Sequence, residues 1–259
     1  MAGRPLHMHV EGLRGTGKTT ILRAVCSILP PLRRLQGCLF NCDPESPHCP
    51  RHHLLSEGEI GSLAQEQIPI PFLEISHSAK IGTVTGTLDL TALTNTSQPE
   101  AAMPPGTLPR AHRGIVFVDE INRLADTAPE LTDILLDAMG TKPGRVQLEE
   151  NGLPTVALPL DVSVWASSNP DEDPGSLMDI RRQLCDRFDF MIQMKRPREP
   201  EPLLAILNQE FETGRAPDQL LPADKQFGLA LAQKAERVQE IAFSTAILEP
   251  VAEIYIKHN

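Results

Sequence analysis

The chain of 259 residues has no apolar run approaching the ~20 residues that a membrane-spanning helix needs, so it offers no candidate span. Its N-terminus lacks the charged-then-apolar layout of a secretory signal, which makes the cytoplasm the expected location. Basic residues are outnumbered: 24 Lys and Arg face 34 Asp and Glu, a net charge of −10. A protein whose main partner is a nucleic-acid backbone carries a basic face or stripe. Here the only short basic clusters are Arg33-Arg34, Arg181-Arg182 and residues 195–198, each read as a solvated surface or an ion pair. No internal repeat is present. The remaining bulk numbers, 41% hydrophobic and 22% charged residues, are ordinary for a globular protein of one large domain or two smaller ones.

Proline is abundant, with 24 residues that concentrate at 30–31, 44–50, 69–71, 99–109 and 197–202. Proline ends helices and cannot donate to a sheet ladder, so these clusters mark connections. Residues 12–19 read GLRGTGKT and match the phosphate-loop pattern G-x-x-x-x-G-K-[ST]. A strand-like run at 8–10 precedes the loop and a helix-like stretch at 19–28 follows it. Gly12, Gly15 and Gly17 allow backbone N–H groups to wrap phosphates, Lys18 reaches the β and γ phosphates, and the Thr19 hydroxyl ligates magnesium. The candidate nucleotide-binding set is Gly12, Gly15, Thr16, Gly17, Lys18, Thr19, Thr20 and Asp119, with ATP and magnesium as ligands.

Further strands are expected at 70–75, at 114–119 and at 162–167, the last two apolar enough to be covered on both faces. Residues 30–67 read as irregular, 83–90 as short and alternating, and 91–110 as a surface loop. Residues 129–139 have helical spacing. Asn151-Gly152 between 146–148 and 155–158 predicts a β-hairpin. Strands alternating with helices around a phosphate loop mean an α/β, doubly wound parallel sheet with the nucleotide at the carboxyl ends of its strands. From residue 201 onward the composition becomes helix-like, which divides the chain into a core at 1–198 and a second, all-helical piece at 199–259. The core strand at 114–119 ends in Asp119-Glu120. Such an Asp holds magnesium beside the loop, and such a Glu polarises the attacking water, which favours hydrolysis over nucleotide storage.

With these motifs in place, the chain resembles the AAA+ ATPases, and within them the magnesium chelatase ATPase subunit (subunit I) and the MoxR-like proteins. The likeness is carried by GLRGTGKTTILRAVCSILP, GTVTGTLDL, RAHRGIVFVDEINRLADTAPELTDILLDAM, GRVQLEENGLPTVALPLDVSVWASSNPDED and LCDRFDF, collinear over roughly residues 8–200. The resemblance implies that Asn169 orients the attacking water as a sensor residue; the alternative is a turn-forming Asn ahead of Pro170. It also implies that Arg187 is an arginine finger reaching the γ-phosphate of the neighbouring subunit, so that hydrolysis requires a ring. The alternative is an Arg paired with Asp186 or Asp189. The implied catalytic set is Glu120, Asn169 and Arg187, and the implied partners are other copies of the chain and a subunit with a von Willebrand factor A domain.

The sequence departs from the family at both ends. The helical segment that precedes the first strand in family members is missing, and the chain stops before the position of the sensor-2 arginine. A short form, an incomplete product or a second polypeptide that supplies these parts would each account for this.

Three of the five cysteines fall in a Cys-rich loop at 37–53. Cys38, Cys42, Cys49 and His52 have the spacing C-x3-C-x6-C-x2-H, four ligands suited to tetrahedral zinc. Structural zinc, free thiols in a surface loop, and an iron–sulfur centre or redox disulfide all remain open. Cys26 and Cys185 are read as packed small apolar residues. His112 and Arg113 are candidates to face a neighbouring subunit.

Three functional readings follow: an ATP-driven remodelling motor, in tetrapyrrole metalation or as a MoxR-like chaperone; a non-hydrolysing nucleotide-dependent scaffold; and a DNA-acting ATPase. The acidity of the chain and of the hairpin tip at 149–152 argues against nucleic acid as partner.

Overall fold

The computed structural model describes residues 5–88, 103–140, 144–148, 155–169, 186–196, 200, 204 and 222–239. Its centre is a five-stranded parallel sheet. The strands are β1 (Met8–Gly12), β4 (Phe72–Ile75), β5 (Ile115–Val118), β8 (Ser163–Ser168) and β9 (Phe190–Met194), in the spatial order β4-β5-β8-β1-β9. The strand β8 therefore lies between the strand that leads into the phosphate loop and the strand that ends in Asp119-Glu120. Every residue of β5 and β8 is buried, as the apolar runs require of strands covered on both faces.

Alternation along β5 divides the core. Ile115 and Phe117 pack with Val10, Leu22 and Trp165 on the face covered by α1 (Lys18–Ser27). Val116 and Val118 point to the opposite face, into the larger cluster. There they meet Leu131, Leu135 and Ala138 of α6 (Pro129–Ala138), which follows α5 (Ile121–Thr127). The hairpin is present as β6 (Gly144–Leu148) paired antiparallel with β7 (Val156–Leu160), Val146 opposite Leu158. Its tip lies outside the described residues.

The segment 30–67 is more ordered than its composition suggests. β2 (Leu32–Leu35) and β3 (Gln65–Ile68) pair antiparallel, and between them lie a 3-10 turn at His52–Leu54 and α2 (Glu57–Ser62). Ser56 and Glu59 form a full capping box at the start of α2, a Ser-x-x-Glu signal that the prolines nearby overshadow. The alternating stretch 83–90 forms no strand in its described part. Instead α3 (Ile81–Thr85) makes one turn and ends at Gly86, and α4 (Thr107–Arg110) occupies the last part of the expected loop. β9 was not foreseen; it is an edge strand with Phe190, Met191 and Ile192 exposed, so burial leaves no clear pattern in its sequence. Pro222–Gln239 is helical, as expected of that region, and its Gly228 lies against the Ile28 carbonyl at the end of α1. Residues 205–221 and 240–259 lie outside the described residues. Among the described residues no helix is long and apolar enough to cross a membrane.

Candidate active site

The loop after β1 turns through Gly15 and Gly17, both at φ 76°, a left-handed conformation that a side chain would strain. Gly12 is needed for a different reason: a Cβ there would lie 2.7 Å from the Met194 carbonyl oxygen of β9. Gly17 is also the N-cap of α1 and supplies no side-chain cap, so the first N–H groups of the helix face the loop mouth. Helix dipole and free donors together make an anion site. Thr16 Oγ1 donates to the Leu13 carbonyl at 2.9 Å and tightens the turn. Lys18 Nζ donates to the carbonyls of Gly12 at 2.7 Å and Leu13 at 3.0 Å, which holds its charge over the loop.

The second motif arrives from the end of β5. Thr19 Oγ1 lies 3.4 Å from Asp119 Oδ2, so two residues 100 positions apart in sequence converge as a hydroxyl and a carboxylate. That pair is the hard-oxygen donor set that magnesium takes beside substrate phosphates. Asp119 is fixed from its other oxygen: Oδ1 accepts from Ser167 Oγ and from the Glu120 N–H at 3.2 Å, and the Glu120 N–H also reaches Ser167 Oγ at 3.2 Å. Ser167 is fully buried on β8 and was missed in the sequence. The one signal was an apolar strand closing in Ser-Ser-Asn, where polar residues run against the burial of their neighbours.

Glu120 is the N-cap of α5 and sits at φ 50°, a conformation uncommon for a residue with a long side chain. Its Oε2 pairs with Arg123 Nε at 3.0 Å. Asn169 follows β8 and is buried, and its carbonyl accepts from Asn122 Nδ2 at 3.5 Å, which ties it to the helix that Glu120 begins. Thr20 continues α1 and is exposed.

Arg187 is elsewhere. It precedes β9, whose first residue Phe190 is in register with Met8, while Gly12 is in register with Met194. A four-residue offset along a strand is about 13 Å. Arg187 thus lies toward the opposite end of the sheet from its own chain's loop. It is exposed and forms no ion pair among the described residues; Asp189 accepts instead from the His7 N–H at 2.8 Å. Cys185 lies outside the described residues.

The Cys-rich loop also folds into a cluster. Cys38, Cys42, Cys49 and His52 are all buried, and their ligand atoms lie within 4.8 Å of one another. The sulfurs compete for protons: hydrogen bonds from the Cys42 and Cys49 thiols draw Cys38 below its usual range, while the same contacts and burial push Cys42 up. His112 and Arg113 do not face outward. His112 is buried and packs tilted against His48, ring centroids 3.8 Å apart, and Arg113 pairs with Asp43 at 2.8 Å. Burial first, and then the charges of His48 and Arg113, hold the His112 imidazole down to about 3. Arg33 and Arg34 are ion-paired with Glu45 and Glu66. Cys26 is half-buried beside the α1-face cluster, and burial pushes its thiol up to about 11.

No family model matches the chain. It is 35% identical over 210 residues to the magnesium-chelatase 38 kDa subunit of Acidiphilium rubrum, covering 79% of this chain and 56% of that protein. It is 30% identical over 237 residues to the magnesium-chelatase subunit ChlI of Anabaena variabilis, covering 90% and 65%. Among solved structures it matches a chain of the complex between subunits BchI and BchD of magnesium chelatase, with a TM-score of 0.58 and 27% identity over 90% of this chain and 67% of that one. The chain spans little more than half the length of the Acidiphilium relative.

Proposed function

We propose that this chain, a homologue of the magnesium-chelatase I subunits with an AAA+ core, binds Mg-ATP at the loop of Gly12 to Thr19 and hydrolyses it as part of a ring. The observation that carries the reading is the approach of Thr19 to Asp119 beside the uncapped start of α1. Lys18 exchanges the Gly12 and Leu13 carbonyls for the β and γ phosphates, which removes no hydrogen bond from the lysine that the phosphates do not replace. Thr19 and Asp119 hold the magnesium that arrives with the nucleotide, with Ser167 keeping the carboxylate in place. Glu120, turned away from Arg123, orients the attacking water, and Asn169 at the end of β8 supports it.

The placement of Arg187 supports its action in a neighbouring subunit, because its own loop lies at the far end of the sheet. A ring follows, with residues 1–198 as the motor core and 199–259 as part of the lid. The partner is a subunit with a von Willebrand factor A domain, and the remodelling serves magnesium insertion into protoporphyrin IX or a MoxR-like task. The cytoplasm, where ATP and magnesium are both available, is the proposed location.

A second reading, a nucleotide-dependent scaffold, draws on the Glu120–Arg123 pair, which occupies the carboxylate needed for hydrolysis. Phosphate release under ring-forming conditions separates the two. Wild type should turn over at least about 100-fold faster than Glu120→Gln, with nucleotide binding retained in the variant. Equal, near-zero rates would establish the scaffold.

A further inference from the structure

The geometry points to a closed structural zinc site made by Cys38, Cys42, Cys49 and His52, at the end of the sheet away from the nucleotide. The residues come from two short turns. In the first, Gly37 and Asn41 take left-handed conformations and Asn41 N–H bonds the Cys38 carbonyl at 3.2 Å, which brings Cys38 and Cys42 to the same side. In the second, the His53 N–H bonds the Cys49 carbonyl at 3.1 Å, a helical turn that sets Cys49 and His52 on one face. Cys49 Sγ lies 3.2 Å from His52 Nδ1. Tetrahedral zinc, with Zn–S near 2.3 Å and Zn–N near 2.0 Å, requires ligand-to-ligand distances of roughly 3.5–3.8 Å. Four ligand atoms already within 4.8 Å of one another need only small shifts to meet it.

The surroundings suit thiolates. Cys42 Sγ accepts backbone N–H groups from His48 at 3.4 Å and from Cys49 at 3.3 Å, and Cys49 Sγ accepts one from His52 at 3.4 Å. Backbone donors aimed at sulfur stabilise its ionised form and orient it toward a metal. Three thiolates and one imidazole are a soft, closed donor set, which selects zinc over magnesium or calcium and leaves no position open for catalysis. Binding releases to solvent the protons of those thiols that still carry one and leaves the centre, with three thiolates and a neutral imidazole around the divalent ion, at a charge of −1. A cavity of about 310 Å³ lined by Cys38, Cys49, His52, Phe40 and Pro105 gives the ion a path in.

The site has something to staple. Among residues 36–55 the only regular element is the 3-10 turn, yet this loop is anchored to its neighbours: Asn41 Nδ2 donates to the Arg110 carbonyl at the end of α4 at 2.6 Å, and Arg34 of β2 donates to Asn41 Oδ1 at 2.7 Å. A zinc cross-link would hold Cys38–Cys42 and Cys49–His52 together while Asn41 and Arg113 dock the loop on the start of β5. The inference does not rest on ATP hydrolysis.

The test is metal content and thiol protection in the full chain. Protein expressed with zinc should carry one zinc per chain. The thiols of Cys38, Cys42 and Cys49 should react with a disulfide reagent only after a strong chelator is added. Cys42→Ser and Cys49→Ser should each lower zinc retention against a chelator by at least about tenfold, and His53→Ala should not. Should the serine variants fail to fold, cobalt exchanged into the wild type should still give thiolate-to-cobalt charge transfer and the intense visible bands of a tetrahedral ion. Lys18→Ala should keep its zinc, which separates this result from the fate of the nucleotide site. Iron in place of zinc, a disulfide between two of the three cysteines, or absence of bound metal with freely reacting thiols would each overturn the proposal.

Discussion

At the carboxyl ends of the strands, Gly15 and Gly17 stand at φ 76° and α1 begins without a side-chain cap; at the amino end of β5, a proline-rich loop buries three cysteines and a histidine. The first region works through backbone, with N–H groups left unpaired by the helix and a few short side chains around them. The second has little regular backbone and works through side chains: Arg34, Asn41 and Arg113 tie it to β2, α4 and the start of β5, and the Cys/His cluster lies within it. On the proposed readings, the difference follows from what each region would hold. A triphosphate needs many donors around a mobile ligand, whereas a loop short of core needs permanent cross-links.

The comparison breaks most sharply at Arg187, which belongs to neither end of its own chain's chemistry. Arg187→Ala should lower ATP hydrolysis by about 10³-fold. Mixing it with Lys18→Ala should restore part of the rate, because an intact finger then meets an intact loop across one boundary. Failure of the mixture to recover would place the finger's action within one chain. Phe117→Ala asks whether the two regions share one folding unit. Phe117 is fully buried in the sheet between them, and its truncation should cost about 3–5 kcal/mol by denaturant titration. Nucleotide binding and thiol protection should then be lost at one common midpoint.

Smaller effects refine each region by itself. Ser167→Ala removes the buried hydroxyl that fixes Asp119 and should reduce phosphate release by about tenfold, with more magnesium needed for half-maximal rate. The zinc content should not change. At the other end, His112 is buried neutral, with its folded value lowered from 6.5 to about 3. Above pH 6.5 its contribution to stability is complete. As the pH falls below 6.5 the unfolded chain takes up a proton that the folded chain refuses, and stability is lost progressively toward pH 3. Melts at pH 6.5 and pH 5 should differ by up to roughly 2 kcal/mol from this group, and His112→Asn should flatten that part of the slope.

Much of the nucleotide end was legible because its requirements are local. The order strand, glycine loop, helix is written in consecutive residues, and an apolar run closing in Asp-Glu announces the second motif. Ser167 was harder, since nothing in its neighbourhood says which carboxylate it will meet. β9 escaped because an edge strand with an exposed face leaves no burial pattern to read. The capping box at Ser56 and Glu59 was written in the chain but lay within a stretch dominated by prolines. His112 and Arg113 read as outward-facing residues, and only the packing of His48 against His112 and the carboxylate of Asp43 turned them inward.

The sequence by itself determined the phosphate loop, the carboxylate pair, the parallel α/β core and the candidate ligands Cys38, Cys42, Cys49 and His52, because each depends on residue type at short spacing. Tertiary structure alone decided that Thr19 meets Asp119, that β8 runs between β1 and β5, that Arg187 lies far from its own loop, and that the four Cys/His ligands converge. Those outcomes depend on how the strands order and pair over separations of up to 182 residues, which no local pattern encodes.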